Sequence, residues 1–105
     1  MFWKVFRVTG NSMSPTLIEG DYVIVKKYKC HPIDGSVAVI NHPELGKLIK
    51  RISLNEKNGK VTLSGDNSLS ISNNIIGEFD QELIKYQALW RVSPLGFSRL
   101  NIKLS

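Results

Sequence analysis

Gly10-Asn11-Ser12-Met13-Ser14-Pro15-Thr16-Leu17-Ile18-Glu19-Gly20-Asp21 is the stretch around which the chain is organised. A β-rich run, Lys4-Val5-Phe6-Arg7-Val8-Thr9, precedes it and ends at Gly10-Asn11, residues that tolerate unusual backbone angles. Ser12 stands where that strand breaks, Pro15 fixes φ just beyond it, and Glu19-Gly20-Asp21 is a second turn that launches the next apolar run. A serine on a sharp turn at a strand end can present its hydroxyl to a cleft. The same residues serve equally as plain turn chemistry.

Outward from this stretch, apolar segments of four to eight residues recur between turn signals, which predicts an all-β fold. Tyr22-Val23-Ile24-Val25 reads as a central strand, apolar on both faces, and Ser36-Val37-Ala38-Val39-Ile40 as another, closed by Asn41-His42-Pro43-Glu44. Asn55-Glu56-Lys57-Asn58-Gly59 is a hairpin turn of the Asn-Gly kind, followed by the strand Lys60-Val61-Thr62-Leu63-Ser64. Gly65-Asp66-Asn67 begins a polar loop, and Ile75 to Phe79 restores apolar character. Gln81 to Val92 suits a helix lined by Leu83, Ile84 and Leu89, while Ile84 to Val92 within it also suits a long strand. The tail from Phe97 carries no motif and is expected to be loosely attached.

The strand Gly46-Lys47-Leu48-Ile49-Lys50-Arg51-Ile52-Ser53-Leu54 is the most informative. Alternation puts Leu48, Lys50, Ile52 and Leu54 on one face, apolar except for the lysine. Two readings are open. Lys50 sits near an edge and snorkels to water, or it is desolvated, with its pKa drawn toward neutrality, and acts as a general base for a serine.

A chain of 105 residues with 42% apolar and 22% charged composition is an ordinary globular one, expected to form a single domain. Its one cysteine, Cys30, excludes an intramolecular disulfide and suggests a reducing, cytoplasmic setting. Cys30, His31 and His42 fit no usual zinc spacing, so no metal or cofactor is expected. No apolar run approaches the roughly 20 residues of a membrane span. Phe2, Trp3 and Phe6 beside Lys4 and Arg7 would suit a membrane surface, but a first strand with buried aromatics is the expectation. The net charge of +5 is spread along the chain with Lys26-Lys27-Tyr28-Lys29 as a local cluster, and no nucleic-acid-binding motif accompanies it.

Ser12-Met13-x-Pro15-Thr16-Leu17 followed by Gly20-Asp21 resembles the nucleophile box of the type I signal peptidases and their soluble relatives. Within that group the chain most resembles the nickel-type superoxide dismutase maturation proteases; the self-cleaving domains of SOS-response repressors are more distant. Leu48-Ile49-Lys50-Arg51-Ile52 is similar to the lysine strand of these proteins, and Gly65-Asp66-Asn67 with Gly77 to their last box. The three motifs lie in the family's order across residues 5 to 92, and the resemblance favours strand for Gln81 to Val92.

The resemblance implies a coiled, mostly antiparallel β domain and a serine endopeptidase with a Ser-Lys dyad. Ser12 would be the nucleophile, its backbone N–H the oxyanion donor, Lys50 the general base, and Arg51 and Asp66 structural residues. Substrate would be an extended precursor segment added as a strand between Val8, Thr9 and Gly10 on one side and Leu48 and Ile49 on the other, with a pocket near Met13. The matching substrate is a nickel superoxide dismutase precursor, the nickel belonging to the substrate. Alternatives are a signal-peptidase-like enzyme acting on other precursors, or an inactive β-domain that binds peptide or nucleic acid. Three departures from the family pattern stand out. Gly10 stands where some relatives carry a hydroxyl two residues before the nucleophile, and Ser36 takes a usual aspartate position. A loop one residue short aligns Ser70 with the lysine-orienting serine, Ser72 with an aspartate and Asn74 with an arginine.

Overall fold

The computed structural model describes residues 3–67 and 76–103. Eight strands follow one another: β1 (Trp3–Arg7), β2 (Tyr22–Lys27), β3 (Val37–His42), β4 (Gly46–Leu54), β5 (Lys60–Ser64), β6 (Ile76–Asp80), β7 (Ile84–Ser93) and β8 (Gly96–Arg99). They form one antiparallel sheet in the order β1-β2-β7-β3-β4-β5-β6, with β8 also on β7. The fold is all-β, as the recurrence of short apolar runs implies. Among the described residues no helix is long and apolar enough to cross a membrane.

The central strand is β3. Its Val37-Ala38-Val39-Ile40 run is buried throughout, and alternation sends successive side chains to different cores. Val37 and Val39 pack with Val8, Met13, Leu17, Val23, Val25, Ala88 and Leu100. Ala38 and Ile40 pack with Ile52, Val61, Leu63 and Ile84, joined at the margin by Leu48 and Leu54. Met13 and Leu17 therefore anchor the Ser12 turn in the first core, while β4 contributes Ile52 to the second. The hairpin between β4 and β5 turns at Gly59, whose φ of 70° is in the left-handed region, and the Asn55 carbonyl accepts its N–H.

Three expectations are corrected, and one left open is decided. β2 is paired on both edges, but its burial alternates: Val23 and Val25 are in the core whereas Tyr22 is exposed. It is a one-sided strand, because among the described residues no layer packs on its other face. In β1 the aromatic Trp3 is 49% exposed rather than buried, for the same reason. Within Gln81 to Val92 the strand favoured by the resemblance is present: β7 begins at Ile84, after a short 3₁₀ turn at Gln81–Leu83.

The tail is not loosely attached. Its residues 96–99 form β8, the Leu100 N–H donates to the Leu89 carbonyl and that of Lys103 to Gly35, and Leu100 is 7% exposed in the first core. A Cβ at Gly35, where φ is 81°, would meet the Lys103 carbonyl oxygen at 2.1 Å, so only glycine lets the tail lie down there. Replacing the Leu100 side chain by a methyl (Leu100→Ala) is expected to lower unfolding free energy by about 2–4 kcal/mol in urea titrations. A change within about 0.5 kcal/mol, typical of surface positions, would mean that the tail is an appendage.

Candidate active site

Ser12, half-buried, lies in a turn closed by hydrogen bonds from the Ser14 N–H to the Asn11 carbonyl and from the Leu17 N–H to that of Met13. Gly10, with φ of 77°, makes the bend into it from the strand side. The far end of the turn returns to the β1 extension: Val8 and Asp21 pair through the Val8 N–H, and the Gly20 N–H donates to the Val8 carbonyl. Asp21, 4% exposed, accepts from the Ile18 N–H at 3.0 Å and from Arg91 at 2.7 Å.

Gly65, Asp66 and Asn67 hold the other side of the turn, each by a different means. The Asn67 backbone N–H donates to the Ser12 carbonyl at 2.9 Å, and its side-chain amide donates to the Asn11 carbonyl. A Cβ at Gly65 would stand 2.3 Å from that same Ser12 oxygen. Asp66 accepts from the Thr16 hydroxyl at 2.6 Å and from the Arg51 guanidinium at 2.6 and 3.2 Å. Arg51 also donates to the carbonyls of Gly35 and Asn101. Burial by itself would raise the Asp66 pKa, but hydrogen bonds from Arg51 and Thr16 and the Arg51 charge outweigh it and hold the carboxyl below the ordinary aspartate range.

Lys50 precedes Arg51 on β4 and pairs with Ala38 of β3. It is 5% exposed. Burial pulls its pKa down from the usual lysine value, since removing water disfavours the ammonium form. Of the two readings open for Lys50, snorkelling at an edge does not describe this environment.

Ser12 and Lys50 border one cleft of about 320 Å³. The six residues expected to touch substrate, Val8, Thr9, Gly10, Met13, Leu48 and Ile49, line it too, but in different ways. Val8 and Met13 are core residues, 3% and 2% exposed, and form an apolar inner wall; Thr9 and Gly10 are exposed. Among the described residues, both flanking strands present unpaired edges to it: β1 pairs with β2 alone, and β5 covers Arg51 to Leu54 of β4 but not Gly46 to Lys50. Lys47 spans from β4 to β1, its ammonium 3.8 Å from the centre of the Phe6 ring.

Ser36, at the position the resemblance matches to an aspartate, is buried; its hydroxyl donates to the Ile33 carbonyl and accepts from the Tyr28 hydroxyl, both at 2.6 Å. Burial pushes the Tyr28 phenol up to about 12, the hydrogen bond with Ser36 offsetting part of the rise. A neutral pair thus occupies this position. Ser70, Ser72 and Asn74 lie outside the described residues. Sequence reasoning missed the Asp21–Arg91 pair, whose partners are far apart in the chain, and the three-part clamp by residues 65–67. Among the described residues no group of three His, Cys, Asp or Glu side chains is arranged to hold a metal ion.

Comparison with known families matches residues 3–86 to the family described as Peptidase S24-like. No curated protein matches the chain.

Asp66→Ala leaves Arg51 largely buried without its counter-charge, and is expected to cost about 3–5 kcal/mol in chemical denaturation. A depressed folded pKa contributes stability that is full above the unfolded aspartate value of about 3.9 and fades as pH falls through the folded one. Acid titration of the wild type should show this loss, and the Asp66→Asn variant should show less of it.

Proposed function

The chain belongs to the Peptidase S24-like family, and from that premise we propose that it is an active serine endopeptidase using a Ser12–Lys50 dyad. The observation that carries this reading is a buried lysine with a lowered pKa bordering the same cleft as a serine on a clamped turn. In this mechanism the neutral Lys50 amine takes the Ser12 proton as Oγ bonds to a peptide carbonyl carbon. The lysine then gives that proton to the departing amine as the C–N bond breaks. Water, deprotonated by Lys50, attacks the acyl-Ser12 ester and releases the new carboxyl terminus. The Ser12 N–H serves as oxyanion donor; among the described residues no acceptor takes it. Arg51 and Asp66 are positioning residues, and Ser70 is proposed to orient Lys50.

Substrate enters as an added strand. The open edges of Arg7 to Gly10 and of Lys47 to Ile49 offer main-chain hydrogen bonds that read backbone rather than sequence. Such binding needs an extended, accessible segment, and an N-terminal propeptide is one. The resemblance of the motifs points to a nickel superoxide dismutase precursor processed in the cytoplasm, by one peptidase domain over residues 1–105.

Ser12→Ala is expected to abolish cleavage of that precursor, read as the new N-terminus by mass spectrometry. Lys50→Met should lower the rate by about 10²–10⁴-fold without lowering Tm, since it removes a buried charge-bearing group. Wild-type activity should rise with pH through a midpoint below the ordinary lysine value of about 10.4. Appreciable turnover by Lys50→Met would defeat the dyad; an intact precursor beside a cleaved secretory one would shift the substrate to the signal-peptidase class.

A further inference from the structure

Among the described residues, no layer covers one face of β1, β2, β7 and β8. Cross-strand registers place its residues in rows, since directly paired residues share a face. Trp3 lies opposite Lys26; Val5 opposite Ile24, then Trp90 and Arg99; Arg7 opposite Tyr22, then Val92 and Phe97. Trp3, Val5, Ile24, Trp90 and Phe97 enclose a shallow apolar concavity of about 700 Å³. Phe97 is 71% exposed and Leu95, at the tip of the β7–β8 turn, 97%.

The charge on this face has one sign. Arg7, Lys26 and Arg99 belong to the rows above, and no carboxylate does. The Lys26 ammonium lies 5.5 Å from the Trp3 ring centre and the Arg99 guanidinium 5.5 Å from that of Trp90. Each cation is thus held beside an aromatic body, close to the apolar surface it borders.

We propose that this face docks on a membrane surface containing anionic phospholipids. Tryptophan and phenylalanine suit the boundary between acyl chains and headgroups, and the rim cations would meet lipid phosphates. A second copy is the poorer occupant. Self-association about a two-fold axis sets a patch against itself, which here brings like cations together as water is excluded. Docking does not depend on the chemistry at Ser12.

Both tryptophans of the chain, Trp3 and Trp90, lie on this face, so intrinsic fluorescence reports on it directly. With vesicles of phosphatidylcholine and phosphatidylglycerol, the full chain is expected to sediment and its emission to shift to the blue. Vesicles of phosphatidylcholine alone, or high salt, should weaken binding by about tenfold or more, given about fivefold per cation near an anionic surface. Phe97→Asp and, separately, Arg99→Glu should each weaken it by about tenfold with unchanged far-UV circular dichroism. Absence of both sedimentation and blue shift overturns the proposal, as does undiminished binding by both variants. A wild-type dimer in light scattering that Phe97→Asp dissociates, without vesicle binding, assigns the face to a second copy instead.

Discussion

The contact between Arg51 and Asp66 is the constraint on which the arrangement of the cleft depends. Arg51 follows Lys50 in β4, so whatever fixes its guanidinium fixes the lysine within one residue of backbone. Asp66 answers it on one side, and the Gly35 and Asn101 carbonyls on the other. Through the Thr16 hydroxyl the same carboxylate reaches the turn that bears Ser12. Serine and lysine thus come from segments far apart in the chain, yet share one buried ionic junction. Two charges removed from water are tolerated here because nearly every donor and acceptor around them is satisfied.

The second constraint is the division of the core by β3. One cluster carries the Ser12 turn through Met13 and Leu17, and the other carries β4 through Ile52. A strand buried on both faces transmits little slack, because close-packed side chains lie against it from each direction. The cleft opens where the sheet stops pairing: along β1 and along the first half of β4. Its walls are therefore strand edges with fixed backbone, and its inner surface is the core itself at Val8 and Met13.

Much of this is legible in the sequence. Continuous Val-Ala-Val-Ile marks the doubly buried strand, period-two alternation isolates Lys50 on an apolar stripe, and Asn-Gly marks the β4–β5 turn. What local pattern cannot carry is which strand neighbours which. β2 looks apolar on both faces, and its exposed side becomes evident once Tyr22 and Ile24 are seen to align with Val92 and Trp90 respectively. Arg91 meets Asp21 across the sheet, and the tail reaches Gly35 and Arg51, through pairings that leave no local trace in composition. Gly65 is similar, since a glycine needed for a close approach reads like any turn glycine. Its meaning came from resemblance, and its mechanism from the carbonyl it faces.

That glycine has a consequence for how the site can be silenced. Its missing side chain is the room in which the Ser12 carbonyl sits. A single methyl there would act as a wedge, levering the backbone under the serine while leaving every polar group in place. On the proposed Ser12–Lys50 reading, loss of function in a relative of this chain need not be sought at its serine or lysine: both can persist, in the right order and spacing, above a backbone that one added carbon has displaced.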